Sequence, residues 1–355
     1  MRTRAILIDR LGPPERLVER DVELADPGPD QIHVEVQAAG VNFADLIMRM
    51  GLYGTVPPRP FSPGFEVAGT AARVGAHVES IREGDRVIAW SRFGGYAHDV
   101  VVEARNVHLL PDELDWVDGA AIPVVFATAW ACLFGVGRAV AGQTVLVLGA
   151  GGGVGTAAVQ LARAAGLVVY GTAGTQEKRD FVVKLGATEC FNSRGNWENP
   201  LVATIGKRGL DIALDPLGGA ATAACRRQLA SMGRLVVYGM SLAVPGVRRN
   251  WLAAALTWLR TPRIHPMSLV RGNLSVSGVH LLHLSSKQDL VQQAFEEMLP
   301  KFRSGELHPV LDRVFSLDRD GAVQAHRRLH ARENLGKVVL ARETYDGSRG
   351  HHSRG

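Results

Sequence analysis

The stretch from Thr144 to Gly166, TVLVLGAGGGVGTAAVQLARAAG, limits the possible folds more than any other part of the chain. A short apolar strand runs into a glycine cluster, and an Ala-rich helix leaves it. A strand–turn–helix of this kind needs small residues for three reasons. They allow a tight turn, close approach of the backbone to a pyrophosphate, and close packing of helix on strand. The phosphate charge then rests on the free N–H groups of the helix N-terminus. The register is Ala150-x-Gly152-x-x-Gly155, with Ala in the place of the first glycine; Gly149, Gly151 and Gly153 add permissive positions. Gly151, Gly152, Gly153 and Val154 are the expected pyrophosphate cradle.

The second strand decides between dinucleotides. An Asp or Glu at its end, about 20 residues on, would bind the ribose 2′-hydroxyl of NAD. The run LVVYGTAGTQEKRD (167–180) has Thr172, Ala173, Gly174 and Thr175 there, no carboxylate before Glu177, and then Lys178 and Arg179. Lys attracts the 2′-phosphate that a carboxylate repels. The expected cofactor is therefore NADPH, with Thr172 and Lys178 among its contacts. The alternative is that Lys178 and Arg179 are solvated helix residues.

The remaining sequence divides in two. Alternating runs such as QIHVEVQAAGV (31–41), FEVAGTAARVG (65–75) and GYAHDVVVE (95–103), punctuated by Gly and Pro, predict a β-rich domain. Residues 116–134 read as helix, with Pro123 as a kink or boundary. From Thr144 onward, apolar strands alternate with helices, which implies a doubly wound parallel sheet covered on both faces. The fold class is α/β. The expected domains are 1–125 with 284–342, and 126–283, with a polar tail (343–355) expected to be disordered. A chain of 355 residues is long enough for two cores.

Several function classes drop out. Cys132, Cys190 and Cys225 form no CxxC pair, so neither a disulfide framework nor a zinc ribbon is indicated. The N-terminus lacks the apolar core of a secretory signal, and no apolar run approaches the roughly 18–20 residues that span a bilayer. These features point to the cytoplasm. A net charge of +5 without a nucleic-acid-binding motif gives no reason to expect nucleic acid.

One stretch is ambiguous by itself. GVNFADLIMRMGLY (40–53) is mostly apolar yet carries Asn42, Asp45, Arg49 and Tyr53. A polar residue ahead of an apolar run is usually a helix cap, and Asp45 reads as a brace for the helix that follows. Asn42 and Tyr53 could also face a ligand.

The motifs GVNFAD, GLY, PGFEVAGT, GDRV, AAIPVVFATAW, GGVGTAAVQLA and LGKVVL resemble the quinone oxidoreductase branch of the medium-chain dehydrogenases/reductases over nearly the whole chain. DPLGG, MGRLVVYGM and RRNWLAAALTW are similar to the synaptic-vesicle membrane protein branch. The resemblance implies a GroES-like catalytic domain, a Rossmann domain, and the nicotinamide held between them. It places Asn42 and Tyr53 at the reacting centre. It places Asn42, Thr128, Gly239, Met240 and Asn334 at the cofactor, with Lys337 also near it and Ser193 where many relatives have a tyrosine. Zinc-dependent relatives carry Cys at the position of Asn42, His at that of Phe65, and a four-cysteine lobe where SRFGGYAHD has none. No metal is therefore expected, and the implied reaction is hydride transfer to quinones or α,β-unsaturated carbonyls. A homodimer joined around Leu274–Leu281 is the family expectation.

Between Pro216 and Gln288 the chain has no Asp or Glu, and RRNWLAAALTWLRTPR sets Arg on both flanks of an apolar helix. Such a segment suits a cleft cover, a dimer contact or an anionic membrane surface. A nucleotide-binding interaction protein with little turnover is the second reading.

Overall fold

The structure is a computed structural model that describes residues 1–280, 282–283 and 287–342. It divides into two compact units, 1–123 with 311–355 and 124–310. In chain order the first unit carries β1 (Arg2–Ile8), β2 (Leu17–Glu23), β3 (Gln31–Val41), α1 (Phe43–Arg49), β4 (Glu66–Val74), β5 (Arg86–Trp90), β6 (Asp99–Glu103), β7 (Val107–Leu109) and α2 (Trp116–Ala120). The helix α3 (Pro123–Trp130) opens the second unit. There follow β8 (Thr144–Val147), α4 (Gly153–Ala164), β9 (Val168–Ala173), α5 (Gln176–Leu185), β10 (Glu189–Asn192), α6 (Glu198–Ile205) and β11 (Leu210–Asp215). Next come α7 (Ala220–Arg227), β12 (Leu229–Val237), α8 (Trp251–Arg260), α9 (Pro266–Gly272), β13 (Ser275–Gly278) and α10 (Gln288–Arg303). The chain then returns to the first unit with β14 (Leu311–Ser316), α11 (Arg319–Ala331) and β15 (Lys337–Ala341).

The second unit is a six-stranded parallel sheet in the order β10-β9-β8-β11-β12-β13. The order reverses between β8 and β11, and ligands of open parallel sheets bind at such a switch point. The glycine turn leaves β8 at that point. Leu146, Tyr170, Phe191, Leu201 and Leu235 share one core on this sheet, as expected of strands buried on both faces. Helix α10 packs in this unit, with the Phe302 ring 4.8 Å from that of Phe126 and Glu297 accepting the Trp130 indole N–H at 2.8 Å.

In the first unit, β14-β15-β3-β4-β5-β7 form a mixed sheet, and β6 pairs with β3. The inward-facing Ile32, Val34 and Val36 of β3 are fully buried, following the period-2 alternation of the sequence. The antiparallel pair β1–β2 was not anticipated, although RTRAILI alternates along half its length. Pro123 stands at the boundary between α2 and α3, where its missing N–H costs nothing. The tail (343–355), residue 284 and Leu281 lie outside the described residues. The expected dimer segment contributes only the four residues of β13, at an edge of the sheet.

Candidate functional site

The glycine turn of the second unit differs in one respect from the expected register. The left-handed residue is Gly149, at φ +64°. Ala150 therefore keeps its side chain, which packs closely against Gly171, where a β-carbon would come within 3.0 Å of it. Gly155 meets the close-packing requirement, since a β-carbon on it would lie 2.4 Å from the Gly149 carbonyl oxygen. Gly152 caps α4 in an extended conformation with no side-chain cap, so the first-turn amides face outward from Gly153 and Val154.

Thr172 takes a different part from that expected. It is fully buried, its hydroxyl accepts the Gly149 N–H at 3.2 Å, and its carbonyl accepts the Ala150 N–H at 2.9 Å. It braces the glycine turn from behind. Thr175 caps α5, accepting the Lys178 N–H at 3.3 Å. The Ser193 N–H donates to Ala173 at 3.0 Å, and the Arg194 side chain runs along Gly174. Ser193 and the Arg194 side chain thus lie at the end of β9 and Lys178 stands in the first turn of α5, while the nearest sequence carboxylate, Glu177, is exposed. Thr128 is buried in α3. Gly239 and Met240 line an apolar cavity of about 530 Å³, together with Ala127, Trp130 and Val279.

In the first unit, Asn42 follows β3 and caps α1. Its backbone N–H donates to Asp45 Oδ2 at 2.8 Å. Its Nδ2 donates to Glu66 Oε1 at 2.8 Å, and its Oδ1 accepts from Lys337 Nζ at 2.5 Å. Lys337 is ion-paired with Glu66, and both are buried. Gly40 makes the space, since a β-carbon there would collide with the Glu66 carboxylate. Lys337 is therefore a buried charge, held by these two partners. Asn334 donates to the Gly336 carbonyl at 2.9 Å in the turn before β15.

Asp45 braces α1, as its place in the sequence suggests, and it also anchors a buried relay. It accepts from the Gly64 N–H and the Tyr96 hydroxyl, each at 3.1 Å. The Tyr96 hydroxyl meets His326 Nε2 at 3.2 Å, and His326 Nδ1 accepts the Arg49 Nε–H at 3.2 Å. Arg49 also contacts His330 Nε2 at 2.7 Å and the Gly12 carbonyl. Burial pushes the Asp45 carboxyl up to about 7 against the pull of these donors. Burial lowers His330 to about 4 and holds His326 well below the usual histidine range.

Tyr53 follows α1, half-buried, its ring 5.9 Å from that of Phe65. Burial, then the Asp45 charge, raises its phenol to about 12. It therefore stays protonated at neutral pH and is able to donate a hydrogen bond. Phe65 packs on Phe93 in the same aromatic cluster. Among the described residues, no three His, Cys, Asp or Glu side chains are placed to share a metal ion. The relay partners Tyr96 and His326 left no local sequence signal; the one available hint was Glu66, a carboxylate within the apolar alternation of PGFEVAGT.

Residues 28–112 match the alcohol dehydrogenase GroES-like domain and residues 153–302 the zinc-binding dehydrogenase domain. The synaptic vesicle membrane protein VAT-1 homolog of Danio rerio is 37% identical over 314 residues, 88% of this chain but only 64% of the relative's length. The quinone oxidoreductase of Sus scrofa is 34% identical over 340 residues, 95% of this chain and 97% of the relative. The crystal structure of Escherichia coli quinone oxidoreductase complexed with NADPH superposes with a TM-score of 0.82 at 27% identity, over 95% of this chain and 99% of that one. With both domains matched in order and an identity of 34% sustained along nearly all of the pig enzyme, the chain belongs to the medium-chain dehydrogenases/reductases, in the branch that holds quinone oxidoreductases and VAT-1 homologs.

Proposed function

We propose that this protein is a zinc-independent, NADPH-dependent oxidoreductase that reduces quinones or α,β-unsaturated carbonyls. The observation that carries the reading is the end of β9, beside the glycine turn, where Ser193 and the Arg194 side chain lie, Lys178 follows in the first turn of α5, and no carboxylate precedes the exposed Glu177. A 2′-phosphate meets cations and a hydroxyl there. The amides of Gly151, Gly152, Gly153 and Val154 take the pyrophosphate. Thr128, Gly239, Met240 and Asn334 complete the cofactor contacts by family resemblance. The bound dinucleotide supplies a hydride. Tyr53 donates a hydrogen bond to the acceptor oxygen as charge develops on it, and Asn42 fixes the geometry beside it. Asn42 and Phe65 stand where zinc-dependent relatives have ligands, and neither supplies the thiolate or imidazole such a site needs. A homodimer across the β13 edge and a cytoplasmic location belong to the same reading.

The test is NADPH oxidation by the purified protein with a chelator present, across quinones and enones, with NADH in parallel. Turnover should survive chelation and favour NADPH by about tenfold or more in kcat/KM, the effect of one or two charge-assisted contacts. Replacing Lys178 and Arg194 together by Ala should erase most of that preference. Equal use of NADH by the wild-type protein would sink the 2′-phosphate assignment.

A second reading, association with an anionic membrane surface, rests on α8. Trp251, Leu252, Trp258 and Leu259 are each 66–72% exposed, an apolar stripe too large to be incidental. Thr257 on the opposite side is buried. The Arg249 guanidinium lies 6.0 Å from the Trp251 ring, and Arg260 closes the helix. Vesicles containing phosphatidylserine should co-sediment the protein at low salt. Trp251→Ser/Trp258→Ser should weaken that binding roughly tenfold, given the apolar area withdrawn from the interface. Equal recovery with neutral vesicles, or none with either, would discard the membrane reading.

A further inference from the structure

Asn42 lies between two groups of opposite hydrogen-bonding character. An ionised Glu66 only accepts, and a Lys337 ammonium only donates. The carboxamide of an asparagine can otherwise be turned over by half a rotation with little change in shape. Here that reversal would set its NH2 against the ammonium and its oxygen against the carboxylate. The contacts at 2.8 Å to Glu66 and 2.5 Å from Lys337 settle the orientation. The second Nδ2 hydrogen faces the Gly40 carbonyl at 3.5 Å. Asn42 is 8% exposed, Lys337 3% and Glu66 0%, so bulk water does not compete for these contacts.

We infer that Glu66 and Lys337 are positioning residues: they hold the Asn42 amide in one orientation and leave it only a lone pair of Oδ1 to offer a bound molecule. This rests on the reductase reading and divides the work within it. Asn42 can meet an N–H or O–H hydrogen but cannot donate to a carbonyl oxygen. The hydrogen bond to the acceptor's carbonyl therefore falls to Tyr53. The three side chains come from the β3–α1 junction, β4 and β15, so the lock also ties Asn42 to two strands remote in sequence.

The double variant Glu66→Gln/Lys337→Met tests this, because it removes both charges together and leaves no orphan ion in the core. Exchange of the Asn42 carboxamide hydrogens can be followed in protein labelled with 15N-asparagine and assigned by the signals missing from Asn42→Ser. It should be about tenfold or more slower in the wild-type protein than in the double variant. With the best acceptor, kcat of the double variant should fall about tenfold while KM for NADPH stays within about twofold, since only alignment at the reacting centre is lost. Equal exchange in the two proteins would overturn the lock. Lost protection with unchanged kcat would show a structural pair and overturn the positioning role. The exchange arm needs no substrate. A wild-type protein that protects Asn42 yet turns nothing over would thus retain the lock and overturn the reductase reading together with the division of work.

Discussion

Asp45→Asn should lower the stability of the first unit by about 3 kcal/mol at pH 8, which corresponds to a fall of roughly 6–10 °C in its calorimetric transition. The carboxylate is fully buried and accepts from the Asn42 and Gly64 amides and from the Tyr96 hydroxyl. An asparagine offers one acceptor oxygen and an NH2, so in either orientation at least one of these donors meets another donor. The hydrogen-bond direction matters as well: Arg49, whose charge is met by Glu15, donates to His326, and the chain Arg49–His326–Tyr96–Asp45 runs each donor toward the Asp45 carboxylate.

The pH dependence has a definite sign. The folded Asp45 carboxyl titrates near 7, above its unfolded value of 3.8. Between these values the folded state holds more proton than the unfolded one, and this contribution to stability is lost as pH rises through the window. Asp45→Asn abolishes that term. The deficit of the variant should therefore be larger at pH 5 than at pH 8, by about 1.4 kcal/mol for each unit between 5 and 7. His326 and His330 shift the other way and destabilise both proteins as pH falls below the usual histidine range, so the difference between the two proteins is the informative quantity. A variant that melts with the wild type, or whose deficit shrinks toward pH 5, would refute the relay.

The contrast between the two units explains what the sequence could reveal. The parallel sheet was legible because its information is local: TVLVLGAGGGVG states strand, turn and helix within a dozen residues, and the β9 end lacks a carboxylate in plain view. The Asn42 site was legible only as a resemblance. Its partners are Glu66, 24 residues on, and Lys337, 295 residues on, while His326 reaches Arg49 across 277 residues. No periodicity encodes contacts made by bringing the end of a chain back to its beginning. The same limit hid the part played by Thr172, because its backward-facing hydroxyl is indistinguishable in sequence from one facing a ligand. It also let Ala150 stand as a departure from the fingerprint, until the φ of Gly149 located the turn one residue earlier.

That turn permits a paired experiment with opposite expectations. Gly155→Ala should reduce NADPH affinity by about 100-fold and lower the thermal transition of the second unit by several degrees. Its β-carbon would stand 2.4 Å from the Gly149 oxygen and 2.7 Å from the Ala150 α-carbon. Both are backbone atoms, so no rotamer relieves the contact; α4 must move off β8. Gly149 cannot absorb the shift, because its left-handed φ is already required and Thr172 holds its N–H. The amides that face the pyrophosphate move with the helix. A displacement of about 1 Å is enough to cost two orders of magnitude where alignment carries the affinity. Gly152→Ala is the counterpart. Its backbone is extended at negative φ, and a β-carbon would meet only the Gly149 oxygen at 3.4 Å. The fold should tolerate it within about 1 kcal/mol, yet the methyl occupies the path by which a pyrophosphate approaches the chain. It should therefore leave the thermal transition nearly unchanged and weaken NADPH binding by roughly tenfold, as measured by quenching of protein fluorescence. If Gly155→Ala binds NADPH as the wild type does, close packing of α4 on β8 does not shape the cradle. If Gly152→Ala also binds normally, the pyrophosphate does not lie over this turn, and the nucleotide must be held by the β9 end alone.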